Sequence, residues 1–279
     1  MNYPYIGYHI LMNDHIEAIE MLKRDSVGCC QIFISNNRSL KSCTWSDERI
    51  NFIRDKMKES NITVFIHGPY LLNLSNRTIS NVKICKEVIL NQLYIADRLE
   101  AVGVVIHMGK GLKSTKEEAI NNYILTISEI LKDYNGKSKL ILETAAGQGT
   151  EICTDILELS NMFNSFTMKE KSKLGICIDT CHVFSAGNEI RTPEEALAFY
   201  NKAKKLFGDY IKVIHMNDSK NEYNSKKDRH ADIGYGEIGV STLKQLYDLY
   251  LDDNIHMILE TPTDNLSYID QIKILENYN

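Results

Sequence analysis

The chain is poor in residues that break or link structure. Its 279 residues contain 4 Pro and 15 Gly, with no Pro/Gly-rich stretch of the kind that separates domains. One domain covering residues 1–279 is therefore expected. No run approaches the roughly 18 apolar residues of a membrane-crossing helix, so no membrane partner is expected. The first residues, MNYPYIGYHI, lack both a basic region and an apolar signal core, and an intracellular, soluble protein is expected. The 7 Cys are odd in number and form no CxxC pair, which excludes an obvious disulfide framework and implies reduced, partly buried thiols. The net charge of −5 offers no general excess of positive charge for non-specific binding to nucleic acid.

What is present is an alternation. Eight apolar or β-branched runs, at 5–10, 28–35, 62–68, 103–109, 139–145, 174–182, 210–218 and 255–262, alternate with amphipathic stretches such as 46–60, 81–100 and 115–134. Several of these begin with helix-starting signals: Ser46 before Asp47-Glu48, Thr115 before Glu117-Glu118, and Thr192-Pro193-Glu194-Glu195. A last helix is expected over about 264–279. Eight strand-then-helix units with little insertion indicate an α/β fold, a single (β/α)8 TIM barrel, rather than an open doubly wound sheet.

The polar residues on those runs carry the chemistry. His67, His107, Glu143, Asp179, His215 and Glu260 each close one of six successive runs. A barrel gathers its strand C-termini on one face, where sites form. His182, Asp228 and His230 fall in the loops beyond runs six and seven, on the same face. Asp228 and His230 stand two apart, so in an extended segment they leave the same side. His9 closes the first run and is expected beside the pocket in a supporting role. His15 and His256 read as an exposed and a structural residue, and Cys177 and Cys181 as structural thiols.

Four carboxylates and five histidines exceed what one tetrahedral ion accepts, since a catalytic zinc takes about three protein ligands. Two or three metals fit better, and a shared carboxylate can hold a pair of cations roughly 3.5–4 Å apart. Three divalent cations bring about six positive charges against four carboxylates, which would make the site attractive to a phosphodiester on an acidic chain. The residues alone thus point to a multinuclear metallohydrolase. These ligands would accept manganese or iron as well as zinc.

Three stretches then resemble the signature regions of the endonuclease IV family of apurinic/apyrimidinic endonucleases: LETAAGQGT at 142–150, GICIDTCHVFSAG at 175–187, and HMNDSK…DRHADIGYGEIG at 215–239. HGPYLLNL at 67–74 and IRTPEE at 190–195 resemble it too, in the family's order. The resemblance implies three Zn2+ ions: His67 and His107 on the first, Glu143 shared between first and second, Asp179, His215 and Glu260 on the second, and His182, Asp228 and His230 on the third. It implies a monomeric DNA-repair nuclease acting in base excision repair on double-stranded DNA with abasic sites or blocked 3′ ends. Such an enzyme cuts 5′ to the lesion and leaves a 3′-hydroxyl and a 5′-deoxyribose phosphate. Glu143 and Glu260 would orient the attacking water. Arg38, Tyr70 and Leu71 resemble the loop residues that enter the duplex, and Arg229, with Lys220, Lys226 and Lys227, would contact phosphates.

The chain departs from the family's pattern at Ser39-Leu40, at Met108-Gly109-Lys110 and after the first run, none of them a ligand position. The rival reading is a xylose-isomerase-like sugar isomerase or epimerase, which shares the barrel but uses one or two metals. The third ligand group and the lack of a strand-end catalytic Lys count against it. A catalytically dead DNA-binding relative would lack at least one ligand, and all nine are present.

Overall fold

The computed structural model describes residues 3–12 and 14–278. Its strands are β1 (Tyr3–Ile10), β2 (Val27–Ile32), β3 (Thr63–His67), β4 (Gly103–Ile106), β5 (Lys139–Glu143), β6 (Leu174–Asp179), β7 (Ile211–His215), β8 (Asp218–Ser219), β9 (His230–Ala231) and β10 (His256–Leu259). Its helices are α1 (His15–Asp25), α2 (Asp47–Glu59), α3 (Ile79–Leu99), α4 (Lys116–Asp133), α5 (Ile156–Asn164), α6 (Met168–Lys171), α7 (Thr180–Ala186), α8 (Pro193–Phe207), α9 (Val240–Asp252) and α10 (Tyr268–Asn277). Eight strands close into a barrel in the order β1-β10-β7-β6-β5-β4-β3-β2, every neighbour parallel, while β8 and β9 form a small antiparallel ladder. The TIM barrel read from the alternation is the observed fold.

Local chemistry starts the helices where the sequence places them. Ser46 accepts from the Arg49 N–H, and Thr115 and Thr192 form reciprocal capping boxes with Glu118 and Glu195. Each such cap is worth roughly 1 kcal/mol to its helix. Several strands stop short of the apolar runs that contain them. The run at 28–35 ends its ladder at Ile32, that at 103–109 at Ile106, and that at 255–262 at Leu259. His107 and Glu260 thus stand one residue past their strands, where the ladder gives way to the loops of the rim. The run at 174–182 is interrupted at Asp179, whose side chain accepts the His182 N–H at 2.7 Å and caps α7. His182 therefore rides in the first turn of a helix, not in a loop. The final helix is Tyr268–Asn277, begun by Ser267, and Asn279 lies outside the described residues. His15 is half-buried, its ring edge-on to Phe52, rather than exposed.

The barrel interior is filled by one apolar layer: Cys29, Phe65, Val105, Ile141, Cys177, Val213 and Ile258, one from each barrel strand but β1. In β1 the corresponding residue is Gly7, where a Cβ would lie 1.7 Å from the Cys29 carbonyl oxygen. Only glycine lets the two backbones approach that closely. The larger core lies outside the barrel, between the alternate strand residues and the apolar faces of the helices.

Candidate metal centre

Successive residues of a strand face opposite sides, so the residue two beyond each member of the interior layer also points inward. Those residues are His9, Gln31, His67, His107, Glu143, Asp179, His215 and Glu260. An apolar layer is thus capped, toward the strands' C-terminal end, by a ring in which every member is polar. Six members match the expected ligands. Gln31, which the sequence reading passed over, is the sole polar side chain in a wholly buried strand.

The ring is compact. Glu143 is central: its Oε2 lies 3.4 Å from His67 Nε2 and 3.2 Å from His107 Nε2, and its Oε1 lies 2.9 Å from His215 Nδ1. The same His215 nitrogen is 2.9 Å from Glu260 Oε2 and 3.8 Å from Asp179 Oδ2. On the far side of Asp179, His230 Nε2 lies 3.5 Å from Asp179 and 3.3 Å from Asp228 Oδ1, and His182 Nε2 lies 3.2 Å from Asp228 Oδ1. All nine expected residues come together. Donor atoms of eight of them fall into groups within 4.8 Å of one another: His67, His107 and Glu143; Glu143, Asp179, His215 and Glu260; and Asp179, His182 and His230; the ninth, Asp228, groups with His230 and Cys181. Glu143 belongs to the first two. Asp179 belongs to the second and reaches the third, a double position the sequence had reserved for Glu143.

A second set of contacts fixes the orientation of these side chains. His67 Nδ1 donates to Gly68 O (2.7 Å), His182 Nδ1 to Thr144 O (2.8 Å) and His230 Nδ1 to Glu260 O (3.2 Å). The His215 Nε2–H donates to Gln31 Oε1 (2.9 Å), and Gln31 Nε2 donates to Glu260 Oε1 (2.6 Å), so one amide positions two ring members. Asn217 does the same elsewhere, donating to Asp179 Oδ2 (2.7 Å) and accepting the Glu260 N–H (2.8 Å). His9 Nδ1 lies 3.2 Å from Glu260 Oε1, the supporting place expected of it. His67, His182, His215 and His230 each have one ring nitrogen held in this way and the other turned toward the carboxylates of the site, the arrangement that ligating histidines require.

Asp228 and His230 come from a loop that two buried carboxylates hold. Asp218 accepts the N–H groups of Ser219, Gly234, Gly236 and Ile238, and Asp232 those of Thr263, Asn265 and Leu266. The loop also leans on α7: the Ser185 hydroxyl donates to Lys227 O (2.9 Å), and the Lys226 N–H donates to Ser185 O (2.9 Å).

The electrostatics follow from crowding. Burial pushes the His107 pKa down to about 4, helped by the charges of His67 and His182 and opposed by Glu143. Burial also works against a charged His230, but Asp179 and Asp228 outweigh it and raise its pKa to about 9. His182 is raised by the same two carboxylates against the same penalty. Burial alone would raise Glu143, yet His107 and His215 hold it well below the usual carboxylate range. Cys177 and Cys181 also lie within reach of ring members, and burial pushes both thiols up to about 12.

Nε2 of His182, Nε2 of His230 and Oε2 of Glu143 are buried with no hydrogen-bond partner. A buried polar atom left unmatched costs about 1–3 kcal/mol. Inward-facing imidazole nitrogens and carboxylate oxygens of this kind fit divalent cations.

Around the ring, Tyr70 is 46% and Leu71 54% exposed. The Tyr70 ring stacks on His107 (5.3 Å between centroids) and meets His67 and Phe33 edge-on. Arg38, Arg229, Lys226 and Lys227 are exposed, and exposed Lys220 pairs with Asp264 at 2.8 Å.

Comparison with known proteins gives consistent matches. A family model described as a xylose isomerase-like TIM barrel matches residues 19–278. The chain is 35% identical over 288 residues to a putative endonuclease 4 of Acanthamoeba polyphaga mimivirus, covering 98% of this chain and 91% of that protein. It is 32% identical over 286 residues to an apurinic-apyrimidinic endonuclease of Caenorhabditis elegans, covering 98% of this chain and 69% of the other. Its fold resembles the crystal structure of endonuclease IV from Thermus thermophilus, with a TM-score of 0.78 at 24% identity and coverage of 98% and 97%.

Proposed function

The chain belongs to the endonuclease IV family, and on that premise we propose that it is a DNA-repair endonuclease that hydrolyses the phosphodiester 5′ to an abasic site. The products are a 3′-hydroxyl and a 5′-deoxyribose phosphate, and blocked 3′ ends are cleared at the same centre. The barrel acts as one domain and as a monomer. The observation that carries this reading is the polar ring with its three groups of inward-facing donors above a closed apolar layer.

The donor set fits three divalent ions, zinc by its imidazole and carboxylate content: His67 and His107 with Glu143; Asp179, His215 and Glu260 with Glu143; His182, Asp228 and His230. Bound there, such ions supply Lewis acidity, making water more acidic and offsetting charge that develops on phosphate oxygens. The protein's own residues do the rest. Glu143 and Glu260 orient the attacking water through their carboxylate oxygens. Gln31 and His9 fix the Glu260 carboxylate by one oxygen, so its geometry is set before substrate arrives. The apolar layer beneath closes the floor to water.

Recognition belongs to the rim. An exposed aromatic–aliphatic pair beside the ring suits a wedge, because entering a duplex means replacing lost base stacking. Tyr70 and Leu71 fill that role together with Arg38, and Arg229 takes phosphates. A sugar isomerase would need neither the wedge nor the third donor group.

The test is incision of a duplex carrying one abasic-site analogue, with elemental analysis of the same preparation. A single cut 5′ to the lesion, lost on prolonged chelation, with close to three zinc per chain, is expected. Epimerisation of a ketose without any cut would overturn the reading.

A further inference from the structure

At the opposite mouth of the barrel, a cleft of about 570 Å³ opens between the starts of β5, β6 and β7 and the ends of α5 and α8. Lys139, Lys171, Lys204, Lys205 and Lys212 line it, with Asp209 as the carboxylate on its wall. β5 begins with Lys139 and ends with Glu143, so the cleft lies roughly 13 Å below the polar ring, a full strand away.

Lysines near helix C-termini are usually explained by the helix dipole, and Lys204 and Lys205 in the last turn of α8 suit that account. Lys139 and Lys212 do not, because both are strand residues. Lys212 stands in a bulge: Ile176 pairs with Ile211 and Cys177 with Val213, leaving Lys212 without a partner across from β6. A bulge re-aims its side chain. The stem of Lys212 lies over Gly175, where a Cβ would come within 2.7 Å of Lys212 Cγ. Lys139 responds to it: burial first, and then the Lys212 charge, lower the Lys139 pKa.

Elsewhere, several basic residues near helix C-terminal ends are neutralised: Lys23 by Glu20 (2.9 Å), Lys56 by Glu59 (2.6 Å), Lys58 by Glu100 (3.3 Å) and Arg98 by Asp47 (2.7 Å). In the cleft only Lys204 is, by Asp253 at 2.8 Å. Lys139 donates to Ser172 O (2.6 Å) and Lys171 to Asn164 Oδ1 (2.8 Å), neither a charge. Among the described residues, Lys139, Lys171, Lys205 and Lys212 have no ion pair, and they face one carboxylate. On a chain of net charge −5 this is a local reversal of sign, and the Lys212 charge works against a charged Lys139.

We propose that this cleft binds phosphate groups, on a site separate from the metal centre and independent of the activity assigned to it. Two sources offer that chemistry: the backbone of a second DNA segment, and free inorganic phosphate.

The test is an amide-shift titration of the metal-loaded protein, observing Gly175 and Lys212, with inorganic phosphate and, separately, with a lesion-free duplex. Saturable shifts are expected, with the midpoint moved at least tenfold in K139Q/K212Q. The loss should be reproduced in part by K171Q, while incision of a short abasic duplex stays unchanged. Duplex acting at lower concentration than phosphate identifies DNA as the source; phosphate acting alone identifies the free ion. If neither moves these amides, or if the double variant binds both as the wild type does, the proposal fails.

Discussion

Asp218 touches no member of the polar ring, yet Asp218→Asn should disable the third donor group. The carboxylate is fully buried, and its two oxygens accept four backbone N–H groups: Ser219 (2.8 Å) and Ile238 (3.0 Å) on Oδ1, Gly234 (3.0 Å) and Gly236 (3.1 Å) on Oδ2. Those contacts bracket the segment that carries Asp228 and His230. An amide keeps one acceptor oxygen and turns an NH2 toward the other pair of N–H donors. Two backbone donors and the new amide hydrogens are then buried without acceptors. At about 1–3 kcal/mol for each unmatched group, the variant loses roughly 3–5 kcal/mol. The Gly236 backbone cannot retreat cheaply, since it already packs so closely that a Cβ there would lie 2.5 Å from Asp218 Oδ1.

The loss need not unfold the barrel, because the segment lies outside the strand ladder. It can instead be relieved by releasing the loop, and the site then loses Asp228 and His230 as fixed donors. Elemental analysis of D218N should therefore show close to one metal fewer per chain. Incision should fall on the order of 100-fold, the rate equivalent of about 2.7 kcal/mol, and melting by several degrees. Full metal content with an unchanged melting temperature would refute the reasoning, since it would mean that four charge-assisted contacts to a buried carboxylate do not hold this loop.

Gln31→Ala removes the amide that serves both His215 and Glu260, and should lower incision about 10–100-fold with KM little changed; a full kcat would refute the link. Glu260→Gln should abolish incision while leaving binding to abasic duplex intact, measured by anisotropy, and undiminished cutting would remove Glu260 from its role. Tyr70→Ala should reduce the preference for abasic over intact duplex, with metal content unchanged; an unaltered preference would return Tyr70 to simple packing on His107. Gly7→Ala forces a Cβ to within 1.7 Å of a backbone oxygen and should destabilise the barrel by at least the roughly 1–3 kcal/mol of overpacking, which a denaturant melt would register.

Much of this molecule was legible because its two periodicities are undisturbed. Strand residues alternate between a helix-facing core and the barrel interior, so the runs stand out as apolar and their polar ends stand out against them. Glu143 ends LILE and His215 ends KVIH for that reason. The strand ends were read too long because ladder hydrogen bonds stop at the rim while the inward-facing register continues. His107 and Glu260 still point into the ring although no ladder reaches them. α7 was hidden by continuity: a strand that runs straight into a helix leaves no turn residue between them, and only the capping geometry of Asp179 marks the change.

What stayed unread shares one physical feature, dependence on contacts between residues far apart in the chain. Gln31 and Asn217 are amides, so ligand chemistry does not nominate them; they matter because the barrel brings Gln31 to His215 and Glu260, and Asn217 to Asp179 and Glu260. Asp218 and Asp232 carry no local signal of their role, since their partners lie up to 34 residues along the chain. The same closure explains the pattern at the other mouth, where Lys139 and Lys212 line one cleft because β5 and β7 flank β6. A period-two register applied to the whole barrel would have recovered Gln31, since it stands two residues beyond Cys29 of the interior layer. No local pattern would have recovered the carboxylate anchors, because their function is to close loops whose ends only the fold brings together.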